Sequence, residues 1–264
     1  MKRFSIITIC FNAVNDLRQT LQSVMDQDFE DMEYIVIDGG SHDGTVELLK
    51  QYADRITYWS SEPDRGVYDA MNKGLKHASG HYVNYMNAGD TFASANVLTS
   101  VNAAINGCPD VVYGATVNAY SWGKILSRPD SLERIGEYMP FCHQSAFVRR
   151  EVLLSHPFDT RYRICADYNL FYKLYREHAT FVEIDVVVAI FEAESGMSNN
   201  NFEAYKREHR QITGQRPSLA RRTIAWARRT KARLLEGLCT NDESRQQRHI
   251  QNLLNNPRNS WYEQ

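Results

Sequence analysis

Through the first 110 residues, apolar runs of strand length take turns with stretches of helical periodicity, and few folds accept that order. The runs are Phe4–Phe11, Tyr34–Ile37, Ile56–Trp59 and Tyr82–Met86. Between them, Leu17, Leu21 and Val24, then Val46, Leu48 and Leu49, then Val67, Met71 and Leu75 each mark one helix face, as apolar positions three and four apart do. Strand and helix in strict succession imply right-handed crossovers and a mostly parallel sheet. The strands are apolar almost throughout, as expected of a sheet covered on both faces. The fold class is α/β.

Turn chemistry locates a ligand site before any chemistry is assigned. Asp38-Gly39-Gly40-Ser41 follows the second run and Asn87-Ala88-Gly89-Asp90 the fourth. Open α/β sheets bind ligands beyond the carboxyl ends of their strands. Both acidic turns therefore fall where a ligand belongs. Asp38 can accept hydrogen bonds from a nucleobase or a ribose, while Gly39 and Gly40 permit close backbone approach. The alternative is a plain tight turn in which Ser41 or Asp43 caps the next helix. Asp90 can supply one carboxylate to Mg²⁺ or Mn²⁺ beside substrate phosphates. It can also cap a helix starting near Ser94, although it lies early for that.

Beyond residue 110 the pattern loosens. Val111–Val117 and Phe181–Phe191 read as strands, and Tyr168–Glu177 as a helix. Asp167 stands where that helical pattern begins, suited either to capping or to taking a proton from an attacking hydroxyl. His143-Gln144 sits between Phe141 and Ala146-Phe147-Val148. The pair offers donors and acceptors suited to sugars or phosphates, although a lone histidine is more often structural. Past residue 200 comes a basic run, Arg216, Arg221, Arg222, Arg228, Arg229, Lys231 and Arg233, with no acid among them. It reads as a peripheral contact with an anionic membrane surface, or as a solvated helix face or dimer contact.

Composition excludes some classes. A net charge of −2 argues against a nucleic-acid partner. Five widely spaced cysteines without a CxxC pair suggest neither zinc nor a disulfide framework, and a reducing cytoplasm is the expected compartment. Lys2 and Arg3 before Phe4–Phe11 imitate a short signal peptide, but the run stops at Asn12 and reads better as a buried strand. No apolar stretch approaches the roughly 20 residues of a membrane-spanning helix.

Together these stretches resemble the family 2 glycosyltransferases. The most specific match is Ser61-Glu62-Pro63-Asp64-Arg65-Gly66-Val67-Tyr68-Asp69-Ala70-Met71-Asn72-Lys73-Gly74, which looks like a signature of the branch building bacterial cell-surface polysaccharides. Ser5–Asn12 is similar to the family's first strand, Ile35–Thr45 to its second strand and nucleotide turn, and Asn87–Asp90 to its acidic metal motif. The resemblance covers about residues 3–195. It implies a GT-A fold: a nucleotide-sugar-binding half (1–110), an acceptor-binding half (111–200) and, beyond them, a basic helical tail (201–264). It also implies inversion of a nucleotide-diphosphate sugar, a UDP-sugar foremost, onto an acceptor hydroxyl of a saccharide or lipid-linked partner. Donor contacts would come from Ile9, Asp38, Arg65, Asn72 and Asn87. Asp90 would hold Mn²⁺ or Mg²⁺, Asp167 would be the base, and His143 and Gln144 would lie near the diphosphate or acceptor. The expected location is cytoplasmic, with a peripheral contact at the inner membrane face through Arg216–Arg233.

This chain departs from the pattern. Gly39 stands where many relatives carry a second acid, Asn87 and Gly89 thin the metal motif, and Ala166 replaces a common Glu before the base. The competing enzyme is a sugar nucleotidyltransferase. It would show a glycine-rich phosphate loop with a basic residue near the first strand, and residues 9–16 contain neither. A non-catalytic sugar-nucleotide binder is the other alternative, opposed by the retention of Asp90 and Asp167.

Overall fold

The computed structural model describes residues 2–194, 201–214 and 242–262. The alternation in the sequence becomes β1 (Phe4–Cys10), α1 (Val14–Met25), β2 (Met32–Asp38), α2 (Thr45–Gln51), β3 (Tyr58–Ser61), α3 (Val67–Leu75) and β4 (Tyr82–Tyr85). β1 pairs in parallel with β2 on one side and β4 on the other, and β2 pairs in parallel with β3. The chain thus winds outward from β1 to β3 and returns to the opposite side for β4. That reversal opens a crevice at the carboxyl ends of β1 and β4.

The remaining elements extend the sheet. They are β5 (Thr91–Phe92), α4 (Val97–Ala104), β6 (Val111–Tyr120), β7 (Gly123–Ser127), β8 (Ala146–Arg149), α5 (Arg150–Ser155), α6 (Ala166–Arg176) and β9 (Phe181–Glu192). Their pairings are antiparallel, except that β9 runs parallel to β6. β10 (Asn259–Trp261) comes from the segment read as a helical tail, which also holds α7 (Phe202–Thr213) and α8 (Asp242–Leu254). The order across the sheet is β10-β7-β6-β8-β4-β1-β2-β3, with β9 joining β6 to β5. The basic run Arg216–Arg233 lies outside the described residues. Among the described residues no helix is long and apolar enough to cross a membrane.

Packing explains why this topology holds. β1 and nearly all of β2 are buried, so each faces apolar partners on both sides. One core, including Ile7, Ile35, Met71, Val83 and Phe171, lies under α3, α5 and α6; the other, including Phe4, Leu17, Leu48, Val101 and Phe147, lies under α1, α2 and α4. α3 approaches the sheet so closely that a Cβ at Gly74 would meet Ile7 at 2.6 Å.

One buried polar hub ties the first strands together. Glu33 on β2 accepts hydrogen bonds from Ser5 Oγ, from Ser79 N and Oγ (2.8 Å for the hydroxyl), and from Gly80 N at 3.1 Å. Burial works against its charge, but these donors outweigh it and hold the carboxyl below its ordinary range. A depressed carboxyl adds stability above its unfolded-state value and loses it as pH falls through the folded one. Glu33→Gln is therefore expected to cost about 1–3 kcal/mol at pH 7, with the deficit shrinking in acid. Urea unfolding at pH 7 and pH 3 reads both quantities; an equal deficit at both would remove the charge from the account.

Candidate active site

A cavity of about 760 Å³ fills the crevice at the ends of β1 and β4. Its walls include Ile9, Cys10 and Phe11 from β1 and the turn after it, Asn87–Asp90 from the turn after β4, and His143, Gln144 and Asp167 from the second half. The turn after β4 is fixed from α1. Thr20 Oγ1 donates to the Asp90 carbonyl at 2.7 Å and accepts from Gly89 N at 3.0 Å. Gly89 has φ +101°, a backbone region that excludes most side chains. Helix capping by Asp90 is ruled out by position, because α4 starts at Val97 with Asn96 at its N-cap.

Two of the acids in this cavity, Asp90 and Asp167, are held by adjacent residues of one 3₁₀ turn (His143–Ser145). Gln144 Nε2 donates to Asp90 Oδ2 at 2.8 Å. His143 Nδ1 lies 3.3 Å from Asp167 Oδ2. With Asn87 Nδ2 placed 3.2 Å from His143 Nε2, Nε2 accepts and the proton sits on Nδ1, facing Asp167. That tautomer follows from the hydrogen-bond network. The other Asp167 oxygen accepts from Tyr68 Oη at 2.8 Å, and Tyr68 Oη also lies 2.7 Å from the Ile164 carbonyl.

The two carboxyls have opposite proton affinities for a physical reason. Burial pushes Asp90 up to about 6, with the Gln144 bond and the nearby His143 opposing it only in part. Burial also pushes on Asp167, but His143, Tyr68 and the Tyr168 backbone outweigh it and hold that carboxyl below its ordinary range. At neutral pH Asp167 is an ionised acceptor, and Asp90 is a buried carboxylate whose charge the Gln144 bond offsets only in part.

The cost of that charge is measurable. A carboxyl raised from 3.8 to about 6 binds more protons in the folded state, so stability falls as pH rises between those values. In metal-free protein, Asp90→Asn is expected to gain on wild type by roughly 3 kcal/mol between pH 4 and pH 8, at about 1.4 kcal/mol for each unit of displacement. Chemical denaturation in EDTA at the two pH values reads the difference. A constant offset would mean that Asp90 is not strained by its burial.

Of the residues picked out from sequence, Ile9, Asn87, Asp90, His143, Gln144 and Asp167 meet in the cavity. Asp38, Asn72 and Arg65 do not line it. Asp38 is 0% exposed, and its carboxylate accepts from Gly40 N, Ser41 N, Ser41 Oγ and Ser61 Oγ, so it builds the turn from within. Asn72 uses both ends of its amide on the Phe158 backbone. Arg65 points into solvent and pairs with Asp69 at 3.1 Å.

Sequence reasoning missed several cavity residues. Asp64 lines it and accepts from Gly66 N at 2.8 Å. A Cβ on Gly39 would lie 2.6 Å from Asp64 and 3.2 Å from Phe11, so that glycine makes room for both. Phe11, 61% exposed, offers an aromatic face beside Asp64. Glu192, whose N–H bonds Asp90, and Tyr205 of α7 complete the rim.

The donors present fit a divalent cation held in part by substrate. Asp90 brings one carboxylate, and Asn87 Oδ1 is a buried oxygen without a hydrogen-bond partner. Both are hard donors, the kind Mg²⁺ and Mn²⁺ take together with phosphate oxygens and water. Among the described residues no group of three or more His, Cys, Asp or Glu is arranged to hold an ion alone.

Solved structures with this architecture include S. aureus TarS 1-349 in complex with UDP-GlcNAc, at TM-score 0.63 and 18% identity over 80% of this chain and 70% of that one. The mannosyltransferase PcManGT from Pyrobaculum calidifontis, in complex with GDP-Man and Mn2+, has TM-score 0.59 and 19% identity over 79% and 60%. The fold is thus that of the GT-A glycosyltransferases. The model of Glycosyl transferase family 2 matches residues 5–161, and the chain belongs to that family. An uncharacterized glycosyltransferase of Mycobacterium tuberculosis is 35% identical over 150 residues, 56% of this chain and 55% of its own length. The match therefore spans about half of that relative. The PGL/p-HBAD biosynthesis glycosyltransferase of M. tuberculosis is 31% identical over 206 residues, 74% of this chain and 79% of its own.

Proposed function

We propose that this family 2 glycosyltransferase moves a sugar from a UDP-sugar onto an acceptor hydroxyl with inversion, and that Asp167 is the general base. The carrying observation is one cavity holding two carboxyls of divergent proton affinity, one on each residue of the His143-Gln144 pair. Environments that push two carboxyls apart assign them different tasks. Asp167, ionised and oriented by two partners, takes the proton of the attacking hydroxyl. Asp90, whose charge is costly when unpaired, would hold a divalent cation together with Asn87 Oδ1. The cation, Mn²⁺ or Mg²⁺, supplies Lewis-acid neutralisation of the leaving diphosphate. Support for the metal and the donor comes from PcManGT with Mn2+ and TarS with UDP-GlcNAc.

Asp64 and Phe11, which line the cavity, contact the nucleoside, while Asp38, expected there from the resemblance, builds the turn beside them. A carboxylate beside an exposed ring suits a ribose diol and a flat base. On the acceptor side, Val67, Met139, Ile164 and Tyr205 give the cavity a partly buried apolar wall near Asp167. That wall favours a hydroxyl carried on a lipid-linked saccharide, as does the relative's place in PGL/p-HBAD biosynthesis. A peripheral membrane contact through Arg216–Arg233 rests on sequence alone, and sedimentation with anionic vesicles tests it.

The reading is tested by thermal stability with UDP-, GDP- and dTDP-sugars, with and without Mn²⁺. A metal-dependent rise with UDP-sugars is expected. No rise with any nucleotide would overturn it.

A further inference from the structure

Three residues lead into α6, the helix that carries Asp167, and end at its N-cap, Cys165, whose side chain makes no capping bond. Their backbone N–H groups find an acceptor 43 to 45 residues later, on α7. Glu208 Oε1 accepts from Arg163 N at 3.1 Å, and Oε2 accepts from Ile164 N and Cys165 N, both at 3.0 Å. Glu208 is 5% exposed and forms no ion pair among the described residues. Three converging backbone N–H groups, the last of them that of the N-cap, compensate its charge.

What Glu208 grips is connected to the base. Ile164 donates its N–H to Glu208, and its carbonyl lies 2.7 Å from Tyr68 Oη, whose other partner is Asp167. α7 seats itself on the same region through Tyr168–His209 ring stacking, with centroids 4.8 Å apart, and through the Tyr205 carbonyl near Cys165 Sγ. Tyr205 reaches the cavity wall. The approach to α6 is thus pinned from α7, so the docking of α7 bears on where Asp167 and Tyr68 stand.

We infer that Glu208 is a positioning residue for transfer: through the backbone of residues 163–165 and the Tyr68 hydroxyl, it holds Asp167 in line with the acceptor hydroxyl. The inference rests on the role proposed for Asp167 and adds α7 to the working part of the site, beyond the segment that the family model matches. A small displacement of a base matters because reacting groups must stand within hydrogen-bond reach.

The test is a double-mutant cycle in the full chain: wild type, Glu208→Gln, Tyr68→Phe and both together. UDP release from UDP-glucose, UDP-galactose and UDP-GlcNAc is followed with octyl glycosides as acceptors, and UDP affinity is measured by calorimetry. Glu208→Gln keeps the shape and one good acceptor, so the protein is expected to fold. Its kcat should fall by roughly 10- to 100-fold, on the scale of a misplaced base, with the donor KM and UDP affinity little changed. The double variant should be no worse than the poorer single one, because coupled residues are non-additive. Additive losses, an unchanged kcat, or parallel loss of UDP affinity would reduce Glu208 to a structural anchor. Asp167→Asn separates the two claims: if that variant stays active, the functional reading falls, whereas its silence beside an indifferent Glu208→Gln sinks only this one.

Discussion

Asp167→Asn is expected to lower turnover by roughly 10²–10⁴-fold, the usual contribution of a general base, while leaving nucleotide affinity almost intact. The amide matches the carboxylate in shape but cannot take a proton. It can turn its oxygen toward His143 Nδ1, which lies 3.3 Å from Oδ2 of the carboxylate, and its nitrogen toward Tyr68 Oη. Tyr68 then gives its own proton to the Ile164 carbonyl, 2.7 Å away. The local network therefore closes again, and the loss should appear in kcat with little change in Tm. Sugar transfer at near wild-type rate would rule Asp167 out and move attention to Asp64.

Asp90→Ala is expected to abolish the metal-dependent part of UDP binding. For wild type at a hundredfold excess of ligand over Kd, binding should stabilise the fold by about 2.7 kcal/mol. In the variant, UDP with and without Mn²⁺ should give the same, smaller shift. Each protein must be compared with its own ligand-free baseline. Removing the side chain leaves Gln144 Nε2 and the Glu192 N–H without their acceptor, while it also removes a carboxylate that burial disfavours. An undiminished Mn²⁺ effect in the variant would take Asp90 out of the metal site.

The legible part of the molecule was the part in which strands are apolar along their whole length. β1, β2 and β4 appear in the sequence within a residue or two of their observed ends, and the run for β3 starts and stops two residues early. β7 and β8 did not stand out, because strands of five and four residues without regular alternation give no period to read. In the site, residues at strand ends were legible because topology alone places them. The partners of Asp38 were not, for one of them, Ser61, comes from another strand and donates at 2.6 Å. Tyr68 lies inside the most specific motif, but its target is 99 residues away. Glu208 is hidden among charged neighbours on a polar helix, and only its bonds to the backbone of residues 163–165 give it meaning.

β10 closes one edge of the sheet against β7, and Ser127 Oγ meets Asn259 Oδ1 across 132 residues of chain. During synthesis at about 5–20 residues per second, that distance means β7 leaves the ribosome roughly 7–26 s before its partner. Over that interval the outer backbone of β7 is an open edge, of the kind that recruits strands from other chains. The strand is five residues long and carries Lys124, features that make an edge a poor template. Between the emergence of β7 and that of β10, this flank is guarded only by brevity and charge.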